Sequence, residues 1–555
     1  MRWLSRIFAS KRETWACIVC PLNSAKPGYL VVLAVFVCQF QLGFGDEPSG
    51  GSESKVADRS QSKADDSLSA RDSTDAIRQS VVQVYSIRRG YSLSSPWKRL
   101  SAKEVSGSGV VISTDTVLTN YHVIFASTDV SISLNGQSER LSGVVEAFDA
   151  GLDLALVRLD DPLPEDIRPL AIGERTPPSG TKIQVFGYPT GGQSLSITEG
   201  VISRIEHVDY KYRSSGLRTQ IDAPLNSGNS GGPVISNGLV VGITFGGLSS
   251  GNDIGYAIPC EEIQRLLGDL SDGSLDGKPA WWIETQSLAS SDLRRWLKVP
   301  EGMSGLRFTR MPIPIEDYPL QRDDVITHIG DFDVSNRGRV AFDANTQVSY
   351  GYAVERSEQD GRLPLSILRD GKEMKVEVPL FTDGHFLQAY RPNATPSYFV
   401  YGPVVFGVAS AEYLDAMEVI LSRGGSSAGS VFRLMARMQQ AGNPIVTRRF
   451  DRVVDRNQEL VTVTKLISNR MTRDTSVLLP AVVRTINGER VKNLASAATI
   501  ISQLDDEFLV IEFEDNAGTV VAFDRQEIER QHEQIMEDNG IVRAASKDLR
   551  DVWDR

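Results

Sequence analysis

Between Ala76 and about Leu270 the chain is cut into short β-branched runs with turn-forming residues between them: Val81–Ile87, Gly109–Ile112, Val117–Thr119, Val130–Leu134, Leu154–Leu159, Ile183–Phe186 and Leu239–Thr244. Nothing else in the sequence limits the fold so strongly. The runs are too short for helices with a buried face and right for strands. Many short strands must close into a sandwich or barrel to hide their edges. The stretch is too long for one small barrel and suits two. From about Lys278 the texture shifts to longer mixed α/β segments. There Ile326–Val334 and Val483–Val491 echo each other, with apolar residues at the first, fourth and ninth places around a tight turn. The echo points to two related modules. Asp370-Gly371, between two apolar runs, reads as a hairpin turn. Asp524-x-x-Glu527 opens a charged helix that runs to Asn539-Gly540 and is expected to be a solvated tail.

The 555 residues are 41% hydrophobic and 23% charged, which excludes a mostly disordered chain and a polytopic membrane protein. A formal charge of −12 gives no general attraction to phosphates, so a nucleic-acid partner is not expected. Arg2, Arg6, Lys11, Arg12 and Lys26 precede an apolar run from Tyr29 to Phe40, followed by Gly43-Phe44-Gly45. Residues 1–45 therefore read as a secretory signal peptide cleaved before Asp46, with an uncleaved anchor as the rival. Residues 46–75, rich in Ser, Asp, Gly and Lys, read as a flexible linker. Cys17, Cys20 and Cys38 all fall in the leader. The exported chain would keep only Cys260, expected to be a buried, inert thiol.

Gly228-Asn229-Ser230-Gly231-Gly232-Pro233 carries the chemistry. A serine nucleophile needs a base to take its proton and backbone amides aimed at the oxyanion. A glycine two places before the serine lets the loop turn its amides inward. The stretch also fits G-x-S-x-G, but that elbow needs a long helix after the serine. Here Pro233-Val234-Ile235, Asn237-Gly238 and Leu239–Thr244 read as strand, turn and strand. The base must come from five histidines. His207, His328, His385 and His532 read as surface or turn residues, and His122 stands where the strand Val117–Thr119 ends. Asp153 opens the apolar Leu154–Leu159 run, and a carboxylate there needs a partner. Asp149 competes, but Phe148-Asp149-Ala150-Gly151 looks like a turn, so Asp153 is preferred. The order His122, Asp153, Ser230 is the chymotrypsin-type order.

The sequence resembles the HtrA/Deg (Do-like) serine proteases. The matching motifs are Gly107–Ile112, Leu118–Val123, Asp153–Val157, Ile221–Pro233 and Ile254–Pro259, in the family's order. Phe186–Gly192, Glu199–Glu206 and Pro396–Val400 look most like the plant-type Do-like branch. The resemblance implies a mainly β fold: a chymotrypsin-like double β-barrel protease domain over 76–272, then two mixed α/β PDZ-like domains over 278–385 and 394–522, with a charged helix or tail over 523–555. It implies Ser230 as nucleophile, His122 as general base and acid, and Asp153 as orienter. The oxyanion hole would use the amides of Gly228 and Ser230, with Asn229 as a third candidate. Leu225, Ile243, Thr244, Phe245 and Gly246 would border the S1 pocket. No cofactor is implied, and neither G-x-x-x-x-G-K-[ST] nor H-E-x-x-H occurs.

The implied activity is ATP-independent endoproteolysis of unfolded or misfolded polypeptides in the periplasm or cell envelope, by a homo-oligomer, a trimer or larger. The alternative is a chaperone or PDZ scaffold with weak or latent proteolysis. The first PDZ-like domain would take C-terminal peptides near Ala280-Trp281-Trp282-Ile283, which lacks the glycines usual in a carboxylate loop. The second would use Tyr398–Gly402, where Pro403 removes an N–H from a peptide-pairing strand.

Overall fold

Along the N-terminal strands, successive apolar residues enter two different dry environments. Val82, Val84, Val111, Val117, Ala155 and Val157 fill the inside of one barrel, while their neighbours Val81, Val110, Leu118, Leu154 and Leu156 face a second barrel. Where both faces of a strand are buried in this way, its run reads as continuously apolar rather than alternating. The computed structural model describes residues 74–553, apart from 135–136, 138, 191, 193, 211–213, 246–254, 274, 276, 280, 313–314, 381–385, 392–394, 424–427, 454 and 456. The expected leader with Cys17, Cys20 and Cys38, the linker up to residue 73, His385, Ala280 and Gly246 lie outside the described residues.

The first barrel closes in the order β1-β2-β3-β6-β5-β4. Its strands are β1 (Val81–Arg88), β2 (Lys103–Val111), β3 (Thr116–Thr119), β4 (Ser127–Ser133), β5 (Arg140–Asp149) and β6 (Leu154–Leu159), with the one-turn helix α1 (Tyr121–Ile124) after β3. The second closes in the order β10-β11-β12-β9-β8-β7. It comprises β7 (Lys182–Gly187), β8 (Ser196–Tyr210), β9 (Ser214–Ile221), β10 (Pro233–Ser236), β11 (Leu239–Phe245) and β12 (Gly255–Pro259), followed by α2 (Cys260–Asp269). Asn237 and Gly238, both at positive φ, turn β10 into β11, so strand–turn–strand follows Ser230 as expected. Cys260 is buried, and burial pushes its thiol up to about 12.

The first α/β module has a sheet in the order β13-β14-β15-β19-β20, from β13 (Glu284–Ser287), β14 (Leu306–Arg310), β15 (Val325–Ile329), β19 (Arg362–Arg369) and β20 (Lys372–Pro379). Short β16 (Phe332–Asp333), β17 (Arg339–Ala341) and β18 (Gln347–Ser349), with helices α3 (Ser291–Trp296) and α4 (Gly351–Ser357), complete it. The second module orders its main strands β21-β22-β23-β24-β26-β27. They are β21 (Tyr398–Tyr401), β22 (Val404–Val408), β23 (Val461–Leu466), β24 (Ala481–Ile486), β26 (Phe508–Phe513) and β27 (Val520–Asp524), with β25 (Glu489–Arg490) paired to β24. Its helices are α5 (Ala411–Arg423), α6 (Ala428–Gln440), α7 (Pro444–Thr447), α8 (Leu494–Ser502), α9 (Arg525–Asp538) and α10 (Arg550–Trp553). The sequence echo is one structural unit used twice: β15 turns back into β16 as β24 turns back into β25.

Three surface expectations are corrected. His207 on β8 is buried against the first module, with Nε2 3.0 Å from Glu355 of α4. His532 is half-buried, and its Nδ1 accepts the Gly402 amide at 3.1 Å, so that nitrogen carries no proton. The expected tail helix is α9, capped by Asp524 through the Glu527 amide at 2.9 Å. It is not merely solvated, because Ile528 and Ile535 are buried in the second module.

Candidate active site

Local sequence places the histidine. β3 ends at Thr119, and one helical turn follows. Tyr121 anchors that turn by stacking on Phe148 with ring centroids 4.9 Å apart. His122 is thereby held at the seam between the barrels with its side chain 25% exposed. Asp153 sits at φ +62° in the turn before β6, a left-handed conformation more tolerable for Asp than for a branched residue. Its side chain is 2% exposed. One carboxylate oxygen accepts the His122 amide at 2.9 Å, and the other lies 2.7 Å from His122 Nδ1. The Asp153 carbonyl accepts the Tyr121 amide at 3.1 Å and Asn120 Nδ2 at 3.0 Å. Asp153 thus grips the histidine by ring and backbone together. Asp149 has the turn role expected of it: its carboxylate accepts the Leu152 amide at 3.0 Å, and burial pushes its carboxyl above the ordinary value.

The Ser230 loop leaves β9 in the second barrel and docks on β2 of the first. The Ser230 carbonyl accepts the Ser108 amide at 2.8 Å, and Ser108 Oγ donates to the Gly228 carbonyl at 2.8 Å. Gly107 is the shared floor. A Cβ there would come within 2.7 Å of Val123, next to His122, and 3.1 Å of the Ser230 carbonyl. Gly107 therefore packs against both the turn that carries His122 and the loop that carries Ser230. Among the described residues, no hydrogen bond joins Ser230 Oγ to His122 Nε2.

Gly228 has φ +100°, and a Cβ on it would press within 2.4 Å of the Tyr188 carbonyl. The Ser227 carbonyl accepts the Thr190 amide at 2.6 Å. In a trans peptide this turns the Gly228 N–H to the opposite side. Among the described residues the Gly228 and Ser230 amides have no acceptor, as an oxyanion hole requires. Asn229 is a correction: its amide already donates to the Asn226 carbonyl at 3.1 Å and is not available to a substrate.

The residues expected to border S1 have the following surroundings. Ile243 and Phe245 pack into the seam between the barrels, and Phe245 lies under the Arg218 guanidinium. Thr244, on the other face of β11, donates from Oγ1 to the Asn229 carbonyl at 2.6 Å and the Gly232 carbonyl at 3.0 Å. Its backbone accepts from the Gly231 amide at 2.8 Å. Thr244 clamps the serine loop. Leu225 packs so closely over Gly255 that a Cβ there would come within 2.8 Å of its side chain.

Sequence alone missed the positioning role of five residues that set this geometry, Thr244 having been expected at the S1 border instead. Ser108, Thr119 and Asn120 fix backbone around the site, Thr119 by donating to the Ser108 carbonyl at 2.7 Å. Thr244 is the fourth. Arg88, at the end of β1, donates to the His122 and Val123 carbonyls, the latter at 2.9 Å, and so ties down the end of α1. Small polar residues inside apolar motifs were the available signal.

A family model described as a trypsin-like peptidase domain matches residues 107–243, and one described as a PDZ domain matches 388–548. Protease Do-like 4, mitochondrial, of Arabidopsis thaliana is 32% identical over 378 residues, covering 67% of this chain and 73% of its own length. Protease Do-like 2, chloroplastic, of the same plant is 28% identical over 84% of this chain and 75% of its own length. Among solved structures, an HtrA-type protease AlgW with decapeptide aligns at 20% identity over 56% of this chain and 98% of that one. Its TM-score of 0.43 is too low to add to the fold drawn from strand pairing.

Proposed function

The chain belongs to the Do-like (HtrA) family of serine proteases, and on that premise we propose an endopeptidase with Ser230 as nucleophile, His122 as base and acid, and Asp153 as orienter. Ser230 Oγ attacks the scissile carbonyl while His122 Nε2 takes its proton. Asp153 holds Nδ1–H and stabilises the imidazolium that forms. The Gly228 and Ser230 amides receive the oxyanion. His122 then gives its proton to the leaving amine, and water hydrolyses the acyl-enzyme by the same steps. The observation that carries this reading is the double hold of the buried Asp153 on His122 beside the Ser230 loop. Cleavage of casein by the intact chain and by Ser230→Ala tests it. Equal activity in both would overturn it.

The proposed substrates are unfolded or misfolded polypeptides, degraded without ATP, because none of these steps needs a nucleotide. Capture of C-terminal peptides at the first module belongs to the same proposal. It is supported by β13, which among the described residues pairs only with β14 and leaves one edge open. We place the protein outside the cytosol, in an envelope or organelle, and as a trimer or larger. The basic, apolar leader and the mitochondrial and chloroplastic names of the relatives support that location. Mass determination of the mature protein and its solution mass test both. A second reading, a chaperone or scaffold with latent proteolysis, is favoured by the missing Ser230–His122 hydrogen bond. Failure of a fluorophosphonate probe to label Ser230 with unfolded substrate present would select it.

A further inference from the structure

Where the loop after β1 meets the second module, the fold leaves a cavity of about 420 Å³. That volume lies in the range of small-molecule sites. Two hydrogen bonds tie its walls together. The Tyr413 hydroxyl donates to the Leu93 carbonyl at 2.9 Å, and the hydroxyls of Tyr91 and Thr395 lie 3.3 Å apart. Leu93, Leu100, Phe125, Val408 and Ala416 make much of the lining apolar, and Leu100 is 54% exposed. Behind the cavity lies the histidine turn: Phe125 follows α1 and sets its ring edge-on to Tyr121, with centroids 5.8 Å apart.

The charge around this cavity is one-sided. Arg89 and Arg99 line it from the barrel loop, and both are exposed. Among the described residues neither meets a carboxylate. Arg99 lies over the Tyr91 ring, 4.5 Å from its centroid, and donates to the Arg89 carbonyl at 3.4 Å. Arg391, the third cation of the lining, is held by Glu459 at 2.8 Å. Among the described lining residues Glu412 alone is acidic. Its Oε1 accepts the Arg391 amide at 2.8 Å, and its Oε2 is buried away from solvent. In a chain of net charge −12, the cavity thus offers an anion two guanidinium groups and little opposing charge. We infer that it binds a small carboxylate bearing an apolar chain, the chemistry of a fatty-acid anion. The planar forks of Arg89 and Arg99 match the carboxylate, and the chain lies against Leu93, Leu100 and Phe125.

Isothermal titration calorimetry on the full chain carrying Ser230→Ala tests this, with octanoate, octanol, octylamine and acetate as titrants. Octanol keeps the chain without the charge, octylamine reverses the charge, and acetate keeps the charge without the chain. Octanoate is expected to bind at least ~10-fold more tightly than octanol, because charge-assisted hydrogen bonds to the arginines are lost in the alcohol. Octylamine should bind more weakly still, and acetate should give no measurable heat. Replacing both cations, Arg89→Gln with Arg99→Gln, should bring octanoate down to the affinity of octanol. Ala416→Phe, which fills the cavity from α5, should weaken octanoate and octanol alike. Three results would each overturn the inference: no octanoate binding, octylamine binding as tightly as octanoate, or octanoate binding unchanged in the double arginine variant. Should Ala416→Phe fail to fold, the arginine pair decides alone. Ser230 is replaced in every arm, so this site and the proposed proteolysis stand or fall separately.

Discussion

Asp153 and Thr244 show how much a single buried polar group can decide. Asp153 supplies both carboxylate oxygens to His122, one to the ring and one to the backbone amide. Asp153→Asn is isosteric but can present an N–H to Nδ1 and so favour the wrong tautomer. It is expected to lower kcat roughly 10³- to 10⁴-fold with little change in KM, measured on a chromogenic peptide. Thr244→Val keeps the shape of β11 and removes a hydroxyl that two loop carbonyls share. The expected cost is about 1–2 kcal/mol of stability, together with slower fluorophosphonate labelling of Ser230. A variant that labels as fast as the parent would show that the clamp is dispensable. Sequence pointed to Asp153 because a carboxylate beside an apolar run needs a partner. Thr244 gave no such sign, since alternation alone does not say which face of β11 meets the serine loop.

Among the elements, β2 matters most to the site, because Gly107 on it packs against both the histidine turn and the serine loop. Gly107→Ala would drive a methyl against Val123 and the Ser230 carbonyl. Overpacking of this kind costs roughly 1–3 kcal/mol. The expected outcome is a folded protein with much reduced casein cleavage. Gly268→Ala in α2 is the matched control. Nothing lies within 4 Å of its added Cβ, so cleavage should persist and stability should rise slightly. If both variants lose activity equally, the wedge explanation fails. The strands themselves were readable from the sequence because their runs were short, β-branched and bounded by turns. The tail was half readable: Asp524 and Glu527 announced α9, but nothing local announced that the following residues add a strand to β21.

At the scale of the whole molecule, the two modules are fastened to the barrels by different chemistry. The second leans on the loop after β1, with Trp97 5.9 Å from Tyr398 and the Tyr413 hydroxyl donating to the Leu93 carbonyl at 2.9 Å. The first shares a buried apolar cluster with the second barrel and adds buried charge: Lys278 Nζ lies 2.6 Å from Glu262 and 3.4 Å from Glu355, which also meets His207. Burial alone would raise the Glu355 carboxyl, but the charge of Lys278 and the hydrogen bond from His207 outweigh it and hold it well below the usual range. A depressed folded value contributes stability above the unfolded value of about 4.3 and loses it as pH falls through the folded value. Thermal unfolding followed from pH 7 to pH 3 should therefore steepen below about pH 4.3, and Glu355→Gln should flatten that slope. Identical slopes would remove Glu355 from the account.

By itself the sequence determined the barrels, the order His122, Asp153, Ser230 and the paired turn units of the two modules. Each of these is written in neighbouring residues: a period, a motif or a turn. Tertiary structure alone decided how the amides of the serine loop are oriented, because the Thr190 amide, from a distant loop, sets the plane of the Ser227–Gly228 peptide. It also decided that Ile243 and Phe245 pack into a seam between the barrels, that His207 is buried, and that β21 is covered by residues about 145 positions away in the chain. In each case the deciding partner is remote in sequence, so no local pattern could carry the information.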